Sequence, residues 1–233
     1  MKAVSAIHTL LVGMALLLAM PAADAQRVSD VRNTKHNLSA LGPGTTRAQA
    51  GATTEVCVFC HTPHGATQAD AAGNPIRGPL WNRRVPDGAT YTPYTSSSLD
   101  AQSILDGLNA TPGGSSKLCL SCHDGTLAIG NVNVLNGTAN VSIPMQGTGP
   151  GGTMPAGEGT TSGFTRFLGT DLRNDHPISV VPNAAADPEI RLPPLGDAVR
   201  LREGSTPGVK DTVQCTSCHD PHGTTLVETT RTS

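Results

Sequence analysis

Aromatic side chains are nearly missing from this chain. Phe, Trp and Tyr make up 3% of 233 residues and charged residues 15%, while there are 26 Gly and 18 Pro. Such a composition leaves little large apolar surface to bury. Burial has to offset the entropy of ordering the backbone, so a chain this poor either stays disordered or recruits something apolar to pack around. Charge of one sign is lacking too. Sixteen basic residues stand against 18 acidic ones, and no basic patch points to nucleic acid. No long hydrophobic run follows residue 20.

The one run present lies at the start. Lys2 precedes an apolar stretch from Leu10 to Met20, and Ala23-Asp24-Ala25 supplies the small-x-small pattern of a signal-peptidase site. About eleven apolar residues are too few to span a bilayer, which takes roughly 20, so residues 1–25 read as a secretion signal rather than an anchor. Residues 26–233 then form the mature chain, read as a single domain, exported and without a membrane span.

Apolar periodicity is weak along the mature chain. A short helix is expected over residues 98–108, where Leu99, Ile104 and Leu108 recur at roughly helical spacing. One or two short strands are expected over residues 127–141, with Asn136-Gly137 as a turn. Residues 147–163 read as a mobile surface loop, and residues 182–207, rich in proline, as irregular coil.

What the chain does have is cysteine in a fixed pattern. All six cysteines fall in three Cys-x-x-Cys-His motifs: Cys57, Cys60 and His61; Cys119, Cys122 and His123; Cys215, Cys218 and His219. Two thiols separated by two residues can add to the two vinyl groups of one haem, while the next His offers its imidazole to the iron. Each motif is expected to open a helical turn. Zinc sites use Cys pairs two at a time and need no His after each pair. Disulfides would make the repeated His a coincidence. Three covalent haems are the reading that uses every residue of the pattern, and they supply the apolar mass the composition lacks.

The sixth iron position separates electron carriers from enzymes. With His61, His123 and His219 as proximal ligands, the mature chain still holds His36, His64, His176 and His222, four candidates for three vacancies. Met145 and Met154 make poor fixed ligands because they flank a Gly-rich loop. His64 and His222 each lie three residues after a proximal His, within roughly 10 Å of it along the chain, and Pro63 and Pro221 turn the backbone away. Each is therefore assigned to a neighbouring haem, which holds consecutive irons close together. A polar neighbour such as Asp175 is expected to hold the second ring nitrogen of His36 or His176.

The order His36-Asn-Leu-Ser, Cys57-Val-Phe-Cys-His-Thr-Pro-His-Gly, Leu80-Trp-Asn-Arg, Leu118-Cys-Leu-Ser-Cys-His-Asp-Gly, Asn174-Asp-His-Pro and Cys215-Thr-Ser-Cys-His-Asp-Pro-His resembles multihaem c-type cytochromes of metal-respiring bacteria. The resemblance covers most of residues 33–223. It implies bis-His, low-spin haems stacked as an electron conduit, and a fold of irregular coil with short helices and few short strands packed around them. It further implies a periplasmic or cell-surface setting and redox proteins, such as other cytochromes, as partners. Some relatives form filaments in which a His crosses to the next subunit. Members often carry a fourth motif after the last one found here, which accounts for a surplus His. The competing reading, a haem oxidoreductase with one iron left open, needs a vacancy that the histidine supply does not leave.

Overall fold

A backbone with little to bury pairs with itself locally, and the strands are short: β1 (Arg47–Ala48), β2 (Asn131–Leu135), β3 (Thr138–Ser142), β4 (Met145–Gln146), β5 (Arg202–Glu203) and β6 (Lys210–Thr212). The computed structural model describes residues 30–70, 73–76, 78, 80–86, 91–96, 112–156, 166–186, 188–193, 199–204 and 208–223. These belong to one compact unit, Val28–Thr224. The leader expected over residues 1–25 and the helix expected over residues 98–108 lie outside the described residues.

Asn136 and Gly137 decide the clearest element. Both take positive φ, 50° and 79°, the combination a type I′ turn requires and Asn-Gly adopts readily. The turn closes β2 on β3 in antiparallel register, Val132 opposite Val141 and Leu135 opposite Thr138. After the hairpin the chain returns to the N-terminal segment, where β4 pairs with β1. Part of the stretch expected as a mobile loop is built into structure: a 3-10 turn, Pro150–Gly152, follows β4, and Met154 is buried.

The three motifs take three local forms. Cys57–Phe59 is a single 3-10 turn. The second motif ends a helix instead of opening one: α1 spans Gly114–His123, so that Cys119, Cys122 and His123 lie in its C-terminal half. The helix terminates on Asp124, and Gly125 follows with φ 74°. A left-handed residue just past the helix is the common stop, and glycine carries it without strain. A Cβ at Gly125 would also strike the Phe167 ring. The third motif is a four-residue helix, α2 (Cys215–Cys218), started by Gln214 through a capping box with Ser217.

The residues between the cysteines face inward. Val58 and Phe59 join Ala48, Val132 and Ile143 in one apolar cluster, and Leu120 joins Tyr91 and Leu172 in another. Among the described residues, 12 hydrophobic side chains are buried against 14 polar or charged ones. The interior is therefore held largely by hydrogen bonds, as the composition requires.

Candidate functional site

Local geometry explains the motif spacing first. In the first and third motifs the His amide bonds back to the first Cys carbonyl, His61 N to Cys57 O at 2.8 Å and His219 N to Cys215 O at 2.9 Å. In the second, α1 makes the same turn. Positions i, i+3 and i+4 share one face of a helical turn, so both thiols and the imidazole emerge on the same side. Every cysteine expected to carry a haem is a free thiol, with no disulfide joining any two of them. Cys57 and Cys218 are exposed, whereas Cys60, Cys119, Cys122 and Cys215 are half-buried.

Asn82 and Arg83 then tie the first motif to the second. Asn82 is 0% exposed. Its amide donates to Val58 O at 2.6 Å and Val134 O at 2.8 Å, accepts from Val134 N at 2.9 Å, and its backbone N–H bonds Cys60 O. Arg83 reaches the other way, to the carbonyls of Ser121, Ala128, Ile129 and Asn131. The Ser121 carbonyl directly precedes Cys122, so this contact grips the backbone beside the second thiol of that motif. The second and third motifs pack directly. Ser115 and Thr216 hydroxyls lie 2.6 Å apart, Ser116 Oγ donates to Gln214 Oε1, and Cys215 N donates to Ser116 Oγ at 3.0 Å.

Two imidazole pairs result. His61 and His222 have ring centres 5.9 Å apart with planes 17° apart, and His36 and His123 have centres 6.3 Å apart at 65°. His123 Nδ1 meets Arg166 O at 2.7 Å. A carbonyl accepts only, so Nδ1 carries the hydrogen and Nε2 keeps its lone pair for a metal. Burial lowers the pKa of His123, and burial with the nearby His123, His222 and His219 lowers that of His36. Both rings are therefore neutral at pH 7, the form that ligates.

His219, His64 and His176 are exposed and stand outside the two pairs. His176 borders a shallow hollow with Tyr91, Tyr94 and Leu172. The clamp expected from Asp175 is not made: its Oδ2 is buried with no hydrogen-bond partner, and burial raises its pKa. The Arg166 carbonyl fills that role for His123, and Asp220 Oδ1 stands 3.8 Å from His222 Nδ1. Among the described residues no group of three or more His, Cys, Asp or Glu is placed to hold a metal ion; histidines meet in twos.

Neither the Asn82–Arg83 clip nor the buried Tyr91 hydroxyl that donates to Asp124 at 2.5 Å is foreshadowed by the sequence reading above. The clip contacts backbone carbonyls far along the chain, which leave no trace in side-chain pattern. Asp124 follows a motif directly and was the only available signal for the second.

The thiols differ in reactivity. Burial, reinforced by the neighbouring thiol of Cys122, pushes Cys60 up to about 12. The S–H of Cys119, donated to Cys215, brings Cys215 down to about 7 and Cys119 well up. In the haem-free chain at pH 7 a larger fraction of Cys215 than of Cys60 is thiolate, the form that reacts. Iodoacetamide followed by peptide mapping is expected to mark Cys215 at least tenfold faster than Cys60. Equal rates at both would show that the thiols lack these surroundings.

The residues fit a covalently held haem on three observations. Two thiols and an imidazole share a face in each motif. Trp81 Nε1 and Arg83 Nε, beside the first motif, are buried donors with no acceptor. Leu80, whose carbonyl takes the Thr62 N–H, is 52% exposed next to the same motif. No family model matches the chain, and no curated protein matches it. Among the described residues no helix is long and apolar enough to cross a membrane.

Proposed function

We propose that this chain is an exported electron-transfer protein carrying three covalent c-type haems, which relays single electrons between redox proteins in the periplasm or at the cell surface. Bound haem supplies a one-electron couple at iron. Cys57 with Cys60, Cys119 with Cys122 and Cys215 with Cys218 hold the three groups, and His61, His123 and His219 are the proximal ligands. His222 together with His61 would hold one group and His36 together with His123 a second. His64 and His176 remain for His219, one of them surplus.

The observation that carries this reading is the pair of imidazole couples. Each joins a motif His to a His distant in sequence, at a separation two ligands on one metal need. Metal–nitrogen bonds of about 2 Å, plus about 1 Å from nitrogen to ring centre on each side, sum to about 6 Å. The close packing of the three motifs supports relay, because electron hopping needs near neighbours. The supply of histidines supports a carrier over an enzyme, since His36, His64, His176 and His222 are four candidates for three iron positions.

Expression with the leader in a host that exports and attaches haem tests the reading. The reduced visible spectrum and the electron paramagnetic resonance of the oxidised protein are expected to be low-spin throughout. A high-spin haem that binds cyanide readily in the unaltered protein would favour the oxidoreductase.

A further inference from the structure

Trp81 is the one tryptophan of the chain, and its backbone is laid directly along the first motif. It pairs with His61 in an antiparallel bridge, while Leu80 O takes the Thr62 N–H and Asn82 N donates to Cys60 O, each at 2.9 Å. The indole stands edge-on to the His61 imidazole, with ring centres 6.3 Å apart and planes 85° apart. Its Nε1 is buried and has no hydrogen-bond partner.

An indole N–H can only donate, and buried donors in folded proteins are nearly all met by an acceptor. Two residues on, Arg83 is 1% exposed and its Nε is a second buried donor without a partner. The Nη atoms of Arg83 are spent on the backbone carbonyls of Ser121, Ala128, Ile129 and Asn131, and among the described residues no carboxylate pairs with it. The segment therefore offers N–H hydrogens and a positive charge to an acceptor that the polypeptide does not supply. Such a seat suits a carboxylate, which takes strong hydrogen bonds and needs a countercharge when buried. A haem brings carboxylates of its own, the propionates. The segment also borders α1, since a Cβ at Gly78 would lie 2.6 Å from Leu118 Cδ1 and 3.5 Å from Trp81 Cβ. The ring contact with His61 favours the haem of the first motif over that of the second.

We infer that the indole N–H of Trp81 donates to a propionate of the haem held at Cys57, Cys60 and His61, in a seat where Arg83 balances the propionate's charge. The inference rests on the haem reading above. The bond ties the propionate edge of that haem to the segment already fastened to the backbone of Cys60 and Thr62.

Ultraviolet resonance Raman of the exported holoprotein tests it, with haem counted by intact mass, because a single tryptophan makes the indole N–H band assignable. In the unaltered protein the band is expected beyond the position of an indole in water, since a carboxylate accepts a stronger hydrogen bond than water does. It is expected to return to the water position in Cys57→Ser with Cys60→Ser, and to stay in place in Cys119→Ser with Cys122→Ser. Trp81→Phe keeps a ring against His61 and removes the donor. With three haems still attached, it is expected to shift the propionate bending band of one haem under visible excitation. An indole band at the free or water position in a protein carrying three haems overturns the inference. So does a band that survives loss of the first haem or moves only with loss of the second, and so does an unshifted propionate band in Trp81→Phe. An unaltered protein with no covalent haem would instead sink the reading beneath it.

Discussion

His222→Ala is expected to convert one of three haems from low spin to high spin and open it to cyanide, and His36→Ala is expected to do the same to a second. The double variant should show both changes, because the two sites use different irons. His222 stands against His61 of the first motif, with ring centres 5.9 Å apart, although it follows His219 by only three residues. His36 stands against His123 at 6.3 Å. Removal of either takes away an imidazole that stands against a motif histidine. Spectra of the His222→Ala variant identical to those of the unaltered protein would remove the His61–His222 assignment.

Asn82→Ala is expected to be the most destabilising single change away from the ligands, at about 4 kcal/mol. The side chain is fully buried and makes three hydrogen bonds, two donated and one accepted. Alanine would leave the carbonyls of Val58 and Val134 and the amide of Val134 without partners, each worth roughly 1–3 kcal/mol before relaxation. Asn82→Asp should fare no better, since a carboxylate keeps the acceptor and sets a charge against two carbonyls. Denaturant unfolding at equal haem content is the measurement. By contrast Arg173→Ala, which breaks an exposed ion pair with Asp171, should leave the midpoint nearly unmoved. A midpoint for Asn82→Ala matching that of Arg173→Ala would mean the clip does not hold the first motif.

Local geometry was more legible in the sequence than long-range architecture. Cys and His at fixed spacing read directly as positions on one turn because a helical turn sets their relative places. Asn136-Gly137 read as a turn for the same reason: a two-residue conformational demand is local. The scarcity of aromatics anticipated an interior short of apolar side chains. What the sequence hid is long-range. Nothing near His222 names His61, nothing near Cys60 names Cys122 as its neighbour, and nothing near Arg83 names the carbonyls of residues 121–131. The second motif looked like the start of a helical turn, yet Cys119 and Cys122 sit toward the end of α1, because that helix is begun by Gly113 and Gly114 and stopped by Asp124 and Gly125. Asp175 looked like a clamp for an imidazole, and a backbone carbonyl took that part at His123, a choice no side-chain pattern records.

Attachment of three haems through six cysteines is tested most directly by the intact mass of the exported protein under denaturing conditions. The expected mass is that of the mature chain plus three haems, falling by one haem when both cysteines of any single motif are changed to serine. A mass of the bare chain, with six free thiols or with disulfides in their place, would contradict it.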